Sequence, residues 1–228
     1  MTDLITKYQI HPNLGEGVYL SRDIAKILNL KPSLVRRWIV GYWSGDLDNR
    51  YSYTFGDGAE KAINFLSLIE FYTFFKLRES GISVDTLRKF HLKLSQQYNT
   101  PYPFATSRNY FTEKKNAKTF LYYDHLDTLI RFDDKHQFKL DFFKEFLDQV
   151  EFDDNNLAIR FYPLKNSKNI VVDPKHQLGQ PTITGTNLKT QTIYNMSKAG
   201  EPIENISLLY NVSINEINDA IAYHKMAC

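Results

Sequence analysis

The stretch "VYLSRDIAKILNLKPSLVRRWI", residues 18–39, decides the fold of the first part of this chain. After Ser21, a residue type that often caps a helix, apolar residues recur at helical spacing up to Leu28. Residues 29–31 indicate a turn, and Pro32 suits the first position of a second helix. The stretch therefore predicts two short helices with the spacing of a helix-turn-helix.

The second of these predicted helices carries different chemistry on its two sides. One side is apolar and includes Val35 and Trp38, whereas Ser33, Arg36 and Arg37 share the opposite side. The first side suits a protein core, and the second suits a polyanionic partner.

The charge of the chain is unevenly distributed. The formal net charge of +2 does not by itself indicate nucleic acid, because a DNA-binding surface is recognised by local clustering of Lys and Arg. The tail after Gly200 is acidic, and a second basic stretch runs from residue 76 to residue 118. The strongest cluster lies in the predicted helix-turn-helix, where Asp23 is the one acid among Arg22, Lys26, Lys31, Arg36 and Arg37.

The segment after this motif predicts a wing and two buttressing helices. Residues 41–58 place glycines and aspartates around "RYSYTF", which indicates a two-stranded hairpin. A long helix is then predicted from about Ala59 to Ser80. Ser83 is expected to cap a further helix over residues 84–98, and prolines 101 and 103 then break the chain.

The basic face, the turn and the wing together favour DNA contact over an ordinary solvated helix surface. We expect Ser33 and Arg36 to approach base edges in the major groove. The residues expected to contact phosphates are Arg22, Lys26, Lys31, Arg37 and, in the wing, Arg50 and Tyr51.

The middle of the chain predicts a small mixed connector over residues 105–165. The segments "KTFLYYDH" (118–125), "TLIRFDD" (128–134) and "LAIRFYPL" (157–164) have the composition of strands. The segment "LDFFKEFLDQVEF" (140–152) has the apolar spacing of a helix.

The last part, residues 166–228, predicts a second helix-turn-helix. Gly200 closes one helix, Pro202 starts the next, and Ser213 with Glu216 forms a capping box for the last helix. We expect Ile203, Ile206 and Leu209 to meet Ile214, Ile217 and Ile221 across the turn, and Asn215, Glu216, Asn218 and Asp219 to be exposed. Because carboxylates repel phosphates, this motif is expected to contact protein rather than DNA.

Upstream, "TIT" (182–184) is expected to form a short strand before a turn at Gly185 that braces the helices and binds nothing.

Several functional classes find no support in the sequence. The single cysteine, Cys228, excludes a disulfide within one chain, and no pair of histidines has metal-ligand spacing. No arrangement of nucleophile and base indicates an enzyme or a cofactor site. No apolar run is long enough to span a bilayer, and we expect a cytoplasmic protein. The predicted fold is mainly α with small β elements (α+β).

Two family resemblances sharpen this interpretation. Residues 17–98, with "VYLSRDIAKILNLKPSLVRRWI" and "KLRESGISVDTLRKF", resemble the winged helix-turn-helix of MerR-type regulators. The segments "IVVDPKHQLGQPTITGT" and "AGEPIENISLLYNVSINEINDAIAYH" resemble the domain of unknown function number 433, although Asn187 stands where many members have arginine. The predicted domains are thus 1–104, MerR-like; 105–165, connector; and 166–228, antitoxin-like.

The second resemblance implies a function. Proteins with this domain after a MerR-like head are similar to VapB-type antitoxins, which are encoded beside a PIN-like ribonuclease toxin. The resemblance implies a homodimeric DNA-binding antitoxin that neutralises such a toxin and represses its own operon, with half-sites about one helical turn apart. The alternative is a stand-alone MerR-like regulator that senses a small ligand in the aromatic middle region.

Overall fold

The structure, a computed structural model, describes residues 15–43, 52–79, 83–106, 110–115, 118–125, 128–131 and 148–226. Over these ranges the chain is mainly helical with small antiparallel sheets, which confirms the predicted fold class. The predicted wing residues Arg50 and Tyr51 lie outside the described residues.

The first helix-turn-helix consists of α1 (Ser21–Ile27) and α2 (Pro32–Trp38). Its turn closes because Asn29 adopts a left-handed φ of 51° and the Leu30 N–H donates to the Ala25 carbonyl at 2.8 Å. The prediction that Ser21 caps α1 is wrong. Strand β1 (Tyr19–Leu20) runs directly into the helix, so Leu20 takes the cap position and its N–H donates to the Asp23 carboxylate at 3.0 Å.

The helix predicted from Ala59 begins later in the structure. Strand β2 (Ala62–Ile63) pairs antiparallel with β1, and Phe55 of the wing segment forms a bridge with Ala62. Asn64 then starts α3 (Phe65–Glu79) by accepting the Ser67 N–H at 2.8 Å. The prediction failed here because pairing with a distant strand competes with local helix propensity.

Helix α4 (Val84–Tyr98) follows as predicted. The Thr86 N–H donates to the Ser83 hydroxyl at 3.1 Å, which confirms the predicted cap. Leu87, His91 and Leu94 are fully buried against α3 and its neighbours.

Helix α3 is the centre of the larger core, because it is buried on most of its sides. On one side Trp38 of α2 packs edge-on against Phe71 and Phe74, with ring centroids 5.8 Å and 5.2 Å apart. This aromatic cluster fixes the orientation of the first helix-turn-helix on the rest of the fold.

The buried carboxyl group of Glu70 joins α3 to two other parts of the chain. Its Oε1 accepts the N–H groups of Phe104 at 2.6 Å and Ala105 at 2.7 Å, and its Oε2 lies 2.8 Å from Nε2 of His91. Burial raises the pKa of Glu70, and the hydrogen bonds from His91 and the backbone oppose that shift. Three segments, α3, α4 and residues 104–105, therefore depend on one side chain.

The connector contains two small sheets. Strands β3 (Tyr110–Lys115), β4 (Lys118–His125) and β5 (Thr128–Arg131) form an antiparallel meander, which confirms the strands predicted at the positions of β4 and β5. Strand β6 (Val150–Phe152) pairs with β7 (Ala158–Phe161).

The helix predicted over residues 140–152 is wrong at its end, where β6 lies; residues 140–147 are outside the described residues. Val150 and Phe152 are buried, whereas the Glu151 side chain between them accepts a hydrogen bond at Oε1 from Arg160 Nη1 at 2.9 Å. This alternation is the period of a strand.

The C-terminal part contains β8 (Ile170–Val171), β9 (Thr182–Ile183) and the helices α5 (Thr190–Lys198), α6 (Ile203–Tyr210) and α7 (Ile214–Met226). Gly200 follows α5 and has a φ of 91°, as suits a residue that ends a helix. The Ser213 N–H donates to Glu216 Oε2 at 2.7 Å, as predicted for the capping box. Ile206 and Ile217 are fully buried. Leu209 and Ile214 do not join this core, because they are 66% and 47% exposed.

The C-terminal part also packs against the first helix-turn-helix. The Val18 N–H donates to the Leu178 carbonyl at 3.2 Å, and the buried ring of Tyr19 covers Gly179. A Cβ atom at Gly179 would lie 2.0 Å from the Tyr19 hydroxyl oxygen. This position therefore needs glycine for its φ of 82° and for the close approach of Tyr19.

Replacing Glu70 by alanine should strongly destabilise the fold. Glu70→Ala leaves two buried backbone N–H groups and His91 without their acceptor, so we expect the free energy of unfolding to fall by about 3–5 kcal/mol. Urea unfolding measures the loss. Glu79→Ala on the same helix removes an exposed ion pair with Lys76 and should cost less than about 1 kcal/mol. Equal losses in the two variants would contradict the proposed role of Glu70.

The contact between Tyr19 and Gly179 can be measured with a matched pair of glycine variants. Gly179 and Gly185 both have positive φ, 82° and 77°, but a Cβ at Gly185 meets no atom within 4 Å. We expect Gly185→Ala to cost about 1 kcal/mol from backbone strain and Gly179→Ala at least about 2 kcal/mol more from the clash. Thermal unfolding of both variants gives the difference, which should vanish if Tyr19 does not rest on Gly179.

Candidate nucleic-acid interface

The outer face of α2 presents three of the residues predicted to contact DNA. Ser33, Arg36 and Arg37 are exposed, while Val35 and Trp38 on the other side of the helix are buried. Among the described residues, neither arginine forms an ion pair within the fold. Their guanidinium groups are thus available to an anionic partner.

A groove of about 470 Å³ runs beside this face. It brings together Arg22 of α1, Ser33 and Arg36 of α2, and Lys61 from the segment before β2. None of the described residues that line the groove is acidic, and Val40 adds a half-exposed apolar side chain at 56% exposure. A surface of this kind attracts phosphates and can contact base edges.

Lys61 was not among the residues predicted from the sequence. It lies just after the predicted wing, and the pairing of β2 with β1 brings it beside α1. Its position next to the predicted wing is the sequence feature that could have identified Lys61 as a candidate for DNA contact.

Among the other predicted residues, Arg22 lines the groove, and the described ones that remain lie outside it. Lys31 precedes α2 and is exposed, and the side chain of Arg22 is 80% exposed with its Nε 3.9 Å from Asp23. Arg37 is exposed but does not line the groove. Arg50 and Tyr51 lie outside the described residues.

Lys26 faces the second helix-turn-helix instead. Its Nζ donates to Gln191 Oε1 of α5 at 3.2 Å and lies 6.0 Å from the ring centroid of Tyr223 in α7. The two motifs therefore contact each other through a side chain that the sequence had suggested for phosphate.

His224 lies beside the same junction. Its Nε2 is 3.0 Å from the Thr190 hydroxyl, and its ring stacks on Tyr194 with centroids 4.8 Å apart. Burial, together with the charge of Lys26, lowers the pKa of His224 to about 4. The imidazole is therefore neutral near neutral pH.

The second helix-turn-helix offers no comparable basic face. Asn215 and Asn218 of α7 are exposed, as predicted, whereas Glu216 and Asp219, which were expected to be exposed as well, are half-buried. Glu216 is held by its capping bonds, and Asp219 accepts hydrogen bonds from Ser167 at 2.6 Å and Asn169 at 2.7 Å. Both acids are partly buried because they brace the helix ends and the preceding loop.

The turn at Gly185 has the structural role predicted for it. Thr184 donates to the Lys168 carbonyl, and Thr186 donates to the Ile183 carbonyl at 2.9 Å while accepting the Leu188 N–H at 3.1 Å. These bonds hold the entry to α5. No bound group is needed to explain the glycine.

A polar cavity of about 560 Å³ lies next to this turn. Arg160, Asp173 and His176 line it, with Arg160 Nε 3.0 Å and His176 Nδ1 3.1 Å from Asp173 Oδ2. Burial alone would raise the pKa of Asp173, but hydrogen bonds, above all from Arg160, lower it below its usual value. The charged groups of the cavity are thus largely neutralised by one another.

The part of the chain that the structure describes also bears on metal binding and on membrane insertion. Within it, no group of three His, Cys, Asp or Glu side chains is placed to hold a metal ion. The described helices include none that is both long and apolar enough to cross a membrane.

Comparison with known proteins places the C-terminal region in context. Residues 170–224 match the family model described as "Protein of unknown function (DUF433)". The chain is 23% identical over 218 residues to "Uncharacterized protein Rv2308" of Mycobacterium tuberculosis, which covers 93% of this chain and 92% of that protein. It is 30% identical over 80 residues to "Putative antitoxin VapB45" of the same organism. That match covers 34% of this chain and 33% of that protein.

A solved structure shares the overall architecture. The crystal structure of Rv2018 from Mycobacterium tuberculosis matches with a TM-score of 0.63 at 16% identity, over 89% of this chain and 96% of that chain. At this level of identity the likeness shows the fold alone. Rv2018 therefore shares this fold over nearly its whole length.

Acid should weaken the junction through His224. Between its ordinary pKa of 6.5 and its folded value of about 4, the unfolded chain binds a proton that the folded chain does not. The free energy of unfolding should therefore fall as the pH drops through this window, by about 2 kcal/mol. Urea unfolding near neutral pH and near pH 4 measures the loss. The His224→Gln variant should lose less free energy of unfolding over the same pH interval. If its pH dependence equals that of the unaltered protein, the acid sensitivity does not come from His224.

Proposed function

We propose that this protein binds double-stranded DNA through its first helix-turn-helix and acts as the antitoxin of a toxin–antitoxin pair. In this role it represses its own operon and neutralises a PIN-like ribonuclease encoded beside it. The proposal has a DNA-binding half and a toxin-binding half, which rest on different observations.

The groove beside α2 carries the DNA-binding half. Three basic side chains, Arg22, Arg36 and Lys61, line it together with Ser33, and no carboxylate is present among its described lining residues. A solvated helix surface usually mixes both signs of charge, whereas a phosphate-binding surface concentrates one sign. Basic side chains from three separate segments converge on a groove whose described lining includes no acid, and this is the single observation that most favours DNA.

The residues divide into two roles within this proposal. Ser33 and Arg36 face the groove from the exposed side of α2 and are assigned to base edges. Arg22, Lys61, Lys31 and Arg37, together with Arg50 and Tyr51 of the wing, are assigned to phosphates. Lys26 is the exception, because its contact with Gln191 gives it a structural role at the junction.

Relatedness supports the toxin-binding half. The antitoxin-named relative and the match of residues 170–224 to the family model agree with the resemblance noted in the sequence. The acidic second helix-turn-helix suits a protein partner better than DNA. A catalytic activity is not part of the proposal.

The proposal includes an assembly. Domains at 1–104, 105–165 and 166–228 would act as a head, a connector and a partner module in a cytoplasmic protein. A homodimer with two heads would bind a palindromic operator with half-sites about 34 Å apart. The alternative, a MerR-like regulator that senses a small ligand, would place that ligand in the middle region, whose side chains over residues 107–147 are outside the described residues.

Arginine variants of α2 test the DNA-binding half. On DNA from upstream of its own gene, Arg36→Ala should cost about 1–3 kcal/mol of binding free energy and relax the sequence preference. Arg37→Ala should weaken all sequences alike and reduce the dependence of log K on log salt by about one unit. Fluorescence anisotropy over a salt series, with random DNA as competitor, measures both effects.

A control with the same loss of charge is Lys93→Ala, on the exposed side of α4. The Lys93→Ala variant should leave both the affinity for DNA and the sequence preference unchanged. An Arg36→Ala and Arg37→Ala double variant that binds like the unaltered protein would refute the interface.

A further inference from the structure

The end of α6 and the turn after it expose an apolar patch that the fold does not use. Leu208 is 83% exposed, Leu209 66%, Ile214 47% and Tyr210 36%. We name these four residues the α6–α7 patch. Exposed apolar side chains grouped in one short segment mark an interaction site more often than single exposed leucines do.

The segment that carries this patch is acidic. Residues 201–223 contain Glu201, Glu204, Glu216 and Asp219 and no Lys or Arg, a formal charge of −4 in a chain whose total is +2. Asp219 accepts a hydrogen bond from Ser167, and Glu201 and Glu204 are the acids of this segment with exposed side chains. Glu204 lies one helical turn before Leu208, which places a carboxylate directly next to the apolar side chains.

We propose that the α6–α7 patch is the surface that binds the toxin, and that the toxin contributes an apolar groove edged with Lys or Arg. This inference rests on the proposed antitoxin function. It adds the location of the contact and the chemistry of the partner's surface. Leu208 and Leu209 supply the apolar anchors, and Glu204 selects a basic edge.

The charge argues against the other occupants. A two-fold contact between two copies of the patch would place two acidic segments of the same sign against each other, and like charges oppose such an interface. DNA and anionic lipid are repelled for the same reason. A basic protein surface is the partner that gains from both the leucines and the carboxylates.

The test uses the full chain and the purified protein encoded by the neighbouring reading frame. Calorimetry compares the unaltered protein with a Leu208→Ser and Leu209→Ser double variant, for which we expect about a 10- to 100-fold loss of affinity. Glu204→Lys should weaken binding about 5- to 10-fold at low salt and less at high salt. Leu178→Ser, which alters another exposed leucine, is the matched control and should bind normally.

Three further measurements make the result decisive. Thermal unfolding, operator affinity and molecular mass in solution should all be unchanged in the double variant, because both leucines are exposed. If the mass falls, the patch joins two copies of this chain and the proposal is overturned; loss of operator affinity overturns it as well.

The outcomes also separate this inference from the function on which it rests. If the double variant binds the neighbouring protein as tightly as the unaltered chain does, the patch is not the docking surface, although the antitoxin function stands. If the unaltered chain does not bind that protein, the toxin-binding half of the proposed function fails and this inference fails with it.

Discussion

The structure depends on one buried carboxyl group. Glu70 lies inside α3 with no exposed surface, and it accepts hydrogen bonds from the backbone of Phe104 and Ala105 while contacting His91. A buried polar group is tolerated only if every partner stays in place, so this side chain fixes α4 and residues 104–105 relative to α3. The Ala105 carbonyl in turn accepts the Ala158 N–H at 2.8 Å, which positions β7.

This frame orients both helix-turn-helix motifs. Trp38 packs on the aromatic side chains of α3 and so places α2, while β7 bridges to Val172 at the start of the C-terminal part. The two motifs have the same local design but opposite surfaces, since Arg36 and Arg37 are exposed on one and Glu201 and Glu204 on the other. Because the sign of charge selects the partner, the basic surface and the acidic surface of this chain suit different kinds of partner.

Sequence patterns predicted the helices well where their causes are local. Pro32 at the start of α2, the Ser83 cap of α4 and the Ser213–Glu216 capping box all occur in the structure. The predictions failed at Ala62–Ile63 and at Val150–Phe152, where strand pairing replaced the expected helices. In both places the deciding partner lies elsewhere in the chain, and periodicity within one window does not contain it.

The sequence by itself determined the helix starts at Pro32, Ser83 and Ser213 and which motif carries which charge, because capping and charge are properties of neighbouring residues. Only the tertiary structure decided which cations share a surface. It placed Lys61 beside Arg36 in the groove and turned Lys26 towards Gln191, which is 165 residues away in the chain. The physical reason is that a side chain's surroundings are set by packing between distant segments, and that packing is resolved only when the whole core forms.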